Sequence, residues 1–164
     1  MKLQVNDLYR YQEELDARIF SLHKVTRVST RRDRILALLV ELAEMANETR
    51  CFKYWSLQNP SDKEVILEEY GDGIHFLLSL GIDLADDHEY FEADDFILDD
   101  ATEAILHTFK KVNQLQEHFT LGNYEEAFSA YLSVARLLGF TTDEIRSYYL
   151  LKNKKNHERQ DTNY

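Results

Sequence analysis

Apolar side chains recur at three- and four-residue intervals through ILALLVELAEMANETR and EVILEEYGDGIHFLLSL, and a single proline, Pro60, stands in the whole chain. Residues spaced this way share one face of an α-helix. Five glycines in 164 residues leave too few turn positions for a turn-dense β fold. The pattern predicts an all-α protein. A chain of this length is expected to form one domain, residues 1–164, that buries roughly 70% of its unfolded surface.

The same periodicity places the elements. A first helix is predicted over Gln4–Leu22, with Leu8, Tyr11, Leu15, Ile19 and Leu22 on its apolar face and Asn6 as cap. The basic stretch RVSTRRDR leads into a second helix over Arg32–Thr49. CFKYWSLQNPSD reads as a loop closed by Ser61 or Asp62 capping a third helix, which runs to Leu80 and stops at Gly81 in an αL turn. From Asp83 to Asp100 the chain has no Lys or Arg and is expected to be a solvated acidic loop or lid. Its spacing fits no EF-hand. Helices follow over Ala101–Phe119, Tyr124–Leu138 and Thr142–Asn156, punctuated by Gly122-Asn123 and Gly139. Phe128, Tyr131, Leu132, Ala135 and Leu138 make one of them apolar on more than one face, which suits a subunit interface or a large core equally.

Four acids interrupt the apolar stripes. On the third helix Glu69 and Asp72 share a side with Val65, Phe76 and Leu80, flanked by Ile66, Gly73 and Leu77. On the second, Glu41 and Glu44 lie beside the stripe of Ile35, Leu38, Leu42 and Met45. A carboxylate buried without a partner costs several kcal/mol unless it meets a cation. If the two helices pack together, four oxygen donors converge. Hard oxygen ligands without Cys or closely spaced His select Mg²⁺ or Mn²⁺ over zinc, and Mg²⁺ commonly shares its coordination with substrate phosphates. Polyphosphate hydrolysis fits that donor set. A di-iron site normally pairs Glu with Glu-x-x-His, and here Glu44 and Asp72 occupy the matching positions. His75, three residues beyond Asp72, stays open as a ligand. Glu48, one turn past Glu44, reads as an outer partner or a surface acid.

A formal net charge of −11 argues against a nucleic-acid or anionic-membrane binder. No apolar run reaches the ~20 residues of a membrane span, and the N-terminus lacks a signal-peptide core. Cys51 is the one cysteine and is read as a small, partly buried hydrophobe in a reducing compartment. A cytoplasmic protein is expected.

The acid pairs, Glu41 and Glu44 in ELAE and then Glu69 and Asp72 in EYGD, resemble the ExxE…ExxD signature of the all-α nucleoside triphosphate pyrophosphohydrolases, which include MazG-like enzymes and dimeric dUTPases. ELAEMANETRCFKYWS, EVILEEYGDGIHFLLSLGI and the tail KNKKNHERQDTNY together are similar to the dimeric dUTPase family, and the likeness covers most of the chain. The resemblance implies a MazG-like helical bundle with a four-helix core and additional C-terminal helices. It also implies a homodimer that hydrolyses dUTP, and dUDP, to dUMP with Mg²⁺ and a metal-activated water.

Glu41, Glu44, Glu69 and Asp72 match the family's metal ligands, with Glu41 the choice for the acid that handles the attacking water. Trp55 and His75 match positions near the nucleoside, and each reads equally as a structural residue. Gln12 and Asp16 match the region that reads the base edge, where many relatives carry an amide in place of Asp16. Phe76 is read as core. Lys152, Lys155, Asn156 and Arg159 form a helical row matching the family's phosphate contacts. Two other readings remain: a related pyrophosphohydrolase acting on dCTP or several nucleotides, and a non-catalytic relative that binds nucleotide or protein.

Overall fold

The computed structural model describes residues 1–94 and 100–162. Six helices carry the fold: α1 (Asn6–His23), α2 (Arg27–Thr49), α3 (Lys63–Asp83), α4 (Ala101–Glu117), α5 (Leu121–Leu137) and α6 (Thr142–Asp161). Two short strands, β1 (Lys2–Gln4) and β2 (Tyr90–Glu92), pair antiparallel with Leu3 opposite Phe91. Both of those side chains point inward, and the sequence pattern predicts neither strand. Because β1 takes Lys2–Gln4, α1 begins at Asn6 rather than Gln4, and Val5, not Asn6, stands at its N-cap.

The central helix is α3, buried on most of its circumference through Ile66, Leu67, Tyr70, Ile74, Leu77, Leu78 and Leu80. Around it lie α1, α2, α5 and α6, while α4 pairs with α5 and touches α2. Tyr70 and Tyr131 lock α3 to α5 reciprocally, each hydroxyl donating to the other's carbonyl at 3.1 and 2.9 Å. Phe128, Tyr131, Leu132 and Ala135 are buried in this chain's own core, which removes them as an interface. Among the described residues no helix is long and apolar enough to cross a membrane.

Several boundaries move for identifiable reasons. Helix α2 starts five residues before Arg32 because Thr26 and Ser29 form a capping box. The basic stretch is thus helical, and Arg27, Arg31 and Arg34 stand on one side of it. Helix α3 runs through Gly81, which is not in the αL region; Leu84 ends it. Gly81 serves close approach instead: a Cβ there would overlap the Tyr124 hydroxyl and fall 2.8 Å from that of Tyr9. Gly81→Ala is therefore expected to cost about 2 kcal/mol by overpacking, measured as a lower urea midpoint at unchanged m-value.

Gly139, at φ +74°, does end a helix in the left-handed region. Helix α4 stops at Glu117, and α5 starts at Leu121 because Thr120 caps it, so Gly122 and Asn123 lie inside its first turn. Thr141 and Glu144 cap α6, which extends five residues past Asn156.

The acidic segment is not simply solvated. The side chains of Asp83 and Asp86 are completely buried, and β2 lies within it. Its residues 95–99 lie outside the described residues, as do 163 and 164 of the tail. Cys51 is exposed rather than partly buried.

Candidate active site

Helices α2 and α3 bring three acids together. One carboxylate oxygen each of Glu41, Glu69 and Asp72 lies within 4.8 Å of the others. Glu41 Oε2 is buried without a hydrogen-bond partner. Burial, then the charges of Asp72, Glu44 and Glu69, push the Glu41 carboxyl up to about 8. Glu69 is raised by burial, Glu44 and Asp72. Asp72 is raised by burial, with Lys152 opposing. Each carboxylate raises its neighbours because like charges at short range disfavour joint ionisation. Glu44 is exposed and stands outside the three-oxygen group, yet close enough to act on Glu41 and Glu69.

A buried oxygen with no partner and three carboxyl groups that resist joint ionisation suit a divalent cation. The donors are all hard oxygens, which fits Mg²⁺ or Mn²⁺. Glu48 lies beyond Glu44 and accepts a hydrogen bond from the Ser61 hydroxyl.

From the other side α6 supplies cations. Lys152 Nζ sits 2.7 Å from Asp72 Oδ2 and 3.3 Å from Glu68 Oε1, and holds the Glu68 carboxyl below its ordinary value. Asn156 and Arg159, one and two turns further on, face the same cavity, and Arg159 donates to Asn156 Oδ1 at 3.3 Å. Lys155 turns away: it is half exposed and reaches Glu68 at 3.6 Å.

The acids and α6 form one end of a cavity of about 180 Å³. At the other end stand Gln12, Asp16, Arg34, His75 and Ser79, with Leu15, Ile19 and Phe76 as apolar wall. Phe76 both packs on the core and lines the cavity. His75 is 5% exposed, stacks on Tyr149 at 4.2 Å, and sets Nδ1 2.8 Å from Gln12 Oε1. Burial lowers its pKa to about 3, so the ring is neutral.

Trp55 is not brought to this cavity. It lies in the loop before α3, 64% exposed, with its ring edge-on to Tyr54 and Phe52, so it is not core either. Sequence reasoning passes over Arg34, Ser79 and Tyr149. The i, i+4, i+7 spacing of Arg27, Arg31 and Arg34 is the one signal available for the first of them.

The dUTPase family profile matches residues 4–164, nearly the whole chain. The chain belongs to the dUTPase family. It is of that family's dimeric, all-α type, and its activity is dUTP diphosphatase, a nucleotide its substrate. A search of curated proteins gave no match. The family is generally metal-dependent, and the acid cluster of this dUTPase has the donors such chemistry needs.

Proposed function

We propose that this dUTPase hydrolyses dUTP, and dUDP, to dUMP with Mg²⁺ held by Glu41, Glu69 and Asp72, and with Glu44 completing the set from its exposed edge. The observation that carries the reading is the unpartnered Glu41 oxygen beside two further carboxylates, in a cavity that Lys152 and Arg159 of α6 also line. Bound there, the cation supplies neutralisation of phosphate charge and acidification of a water. Glu41, whose buried Oε2 has no protein partner, takes the proton from the attacking water. Lys152 and Arg159 donate to phosphate oxygens, with Asn156 between them and Lys155 on the flank. Gln12 and His75 meet the base, and Phe76 offers it an apolar face.

Release of dUMP and pyrophosphate from dUTP, absent in EDTA and restored by Mg²⁺ or Mn²⁺, tests the reading. Equal turnover of dCTP would sink the base assignment. Lys152→Met is expected to lower kcat/KM for dUTP by roughly tenfold to a hundredfold, the loss of one charge-assisted hydrogen bond, in steady-state assays at saturating Mg²⁺. An unchanged value would remove Lys152 from the phosphate site.

We also propose a cytoplasmic homodimer of one-domain subunits. Leu36 and Val40 on α2 and Leu106 on α4 are exposed apolar side chains that suit a second copy. Light scattering that gives a monomer mass would reject it.

A further inference from the structure

Asp16 spends most of its acceptor capacity inside the protein. Its Oδ1 accepts from Gln12 Nε2 at 2.8 Å, and its Oδ2 accepts from the Ser79 hydroxyl at 2.6 Å and from Arg27 at 3.0 Å. The residue is 5% exposed. The family resemblance places it in the region that reads the base edge, and three protein donors, Gln12, Ser79 and Arg27, converge on its carboxylate.

A carboxylate only accepts, so the Gln12 atom facing Asp16 must be the NH₂ group. The amide is thereby oriented. Its Oε1 accepts from the Tyr149 hydroxyl at 3.0 Å and lies 2.8 Å from His75 Nδ1, which therefore carries the imidazole proton. Both lone pairs of that oxygen are used. Gln12 has one N–H left, with no protein partner among the described residues, and Gln12 lines the cavity.

We propose that Asp16 is a positioning residue for base choice, holding the Gln12 amide so that the cavity meets an N–H donor and not a carbonyl. Uracil offers carbonyl oxygens at C2 and C4. Cytosine keeps the C2 oxygen but replaces the C4 oxygen with an amino group, so a Gln12 N–H aimed at the C4 position brings donor against donor in a buried site. A site built around one fixed hydrogen bond rejects the mismatched partner far more strongly than a site that only fits shape. Arg27 and Ser79 do not touch the base in this scheme; they hold Asp16, which holds Gln12. The inference rests on the reading that this cavity takes the base.

The experiment compares kcat/KM for dUTP and dCTP in the Asp16→Asn, Ser79→Ala and Gln12→Ala enzymes, with melting curves to confirm folding. In Asp16→Asn the new side chain keeps the shape but can offer Gln12 either an oxygen or an NH₂, so the Gln12 amide is free to turn over. The dUTP:dCTP ratio is expected to fall about tenfold or more in Asp16→Asn, through a rise for dCTP as well as a loss for dUTP. Ser79→Ala, which loosens Asp16 without touching Gln12, shifts the ratio the same way by a few-fold and carries the test if Asp16→Asn does not fold. A merely structural role would lower both nucleotides together and leave the ratio intact, which overturns the proposal. If the ratio falls in Gln12→Ala but holds in both other variants, the positioning role is wrong and the base site stands. If it holds in Gln12→Ala, the cavity does not read the base and both readings fail.

Discussion

Replacing Glu41 by glutamine is expected to stabilise the metal-free protein at pH 8 while lowering dUTP turnover at least about a hundredfold. The two effects have one cause. In the folded chain the Glu41 carboxyl is pushed up to about 8 from an ordinary 4.5, by burial first and then by Asp72, Glu44 and Glu69. A folded pKa above the unfolded one means that the proton is bound more tightly in the native state. The stabilisation it represents is complete below about pH 4.5 and is lost as pH rises through about 8.

A shift of this size converts to several kcal/mol at about 1.4 per pH unit, and partial solvent access reduces it to roughly 2–3. Glutamine is neutral at every pH and nearly isosteric, so it escapes the loss. At roughly 2–4 °C per kcal/mol for a chain of this size, the variant should melt roughly 5–10 °C above the wild type at pH 8 in EDTA. The gap should nearly close at pH 5. Added Mg²⁺ should raise the wild type more than the variant, since the cation stabilises whichever protein binds it. A variant that melts at or below the wild type at pH 8 would show that Glu41 is not the strained acid of the cluster.

The acids at 41, 69 and 72 are readable in the sequence for the same reason that they are strained in the fold. A charge inside an apolar 3.6-residue stripe breaks the pattern that builds the helix, so it registers against its neighbours. Helices α2 and α3 and their shared face follow from that local periodicity, whereas α6 shows almost no apolar stripe. Asp83 and Asp86 defeat the same logic. They sit in a run of acids, where no apolar background marks them, and their burial depends on Arg27, Arg31, Arg34 and Tyr9 arriving from other helices.

The pairing of Lys2–Gln4 with Tyr90–Glu92 is also long-range, and three residues are too few to display a period of two. Gln12 and Asp16 are visibly on one face at i and i+4. Which of them faces a ligand is decided by Ser79, Arg27, His75 and Tyr149, none of them within the same helix. Trp55 matches a motif, but the loop that carries it leaves it outside the cavity of its own chain.

Asp83→Asn is expected to be among the most destabilising single substitutions in the protein. The Asp83 side chain is fully buried and receives Arg34 at 2.7 and 2.8 Å, Arg31 at 2.9 Å and Arg27 at 3.1 Å, fastening the start of α2 to the end of α3. Burial alone would raise its pKa, but the guanidinium groups of Arg34, Arg31 and Arg27 outweigh that and hold it below the ordinary 3.8. Asparagine keeps the volume and removes the charge. Three guanidinium groups then face one another, and Arg34, only 8% exposed, has no other anion at hydrogen-bond distance among the described residues.

Removing one partner of a buried ion cluster costs about 3–5 kcal/mol, because the remaining charge stays desolvated and uncompensated. At pH 7 the melting temperature should fall by roughly 10 °C or more. The sign of the pH dependence is opposite to that of Glu41. A depressed carboxyl stabilises above its unfolded pKa, so the gap between wild type and variant should persist from neutral pH down to about 4 and narrow only as Asp83 itself protonates. Urea midpoints followed from pH 7 toward pH 3 would display that narrowing. A constant gap would mean that the damage is steric rather than electrostatic. Arg27 also donates to Asp16, so the same variant slackens one of the two donors that hold the base-facing end of the cavity. Loss of base discrimination alongside the loss of stability would show that the clamp between α2 and α3 orients the site as well as holding the helices together.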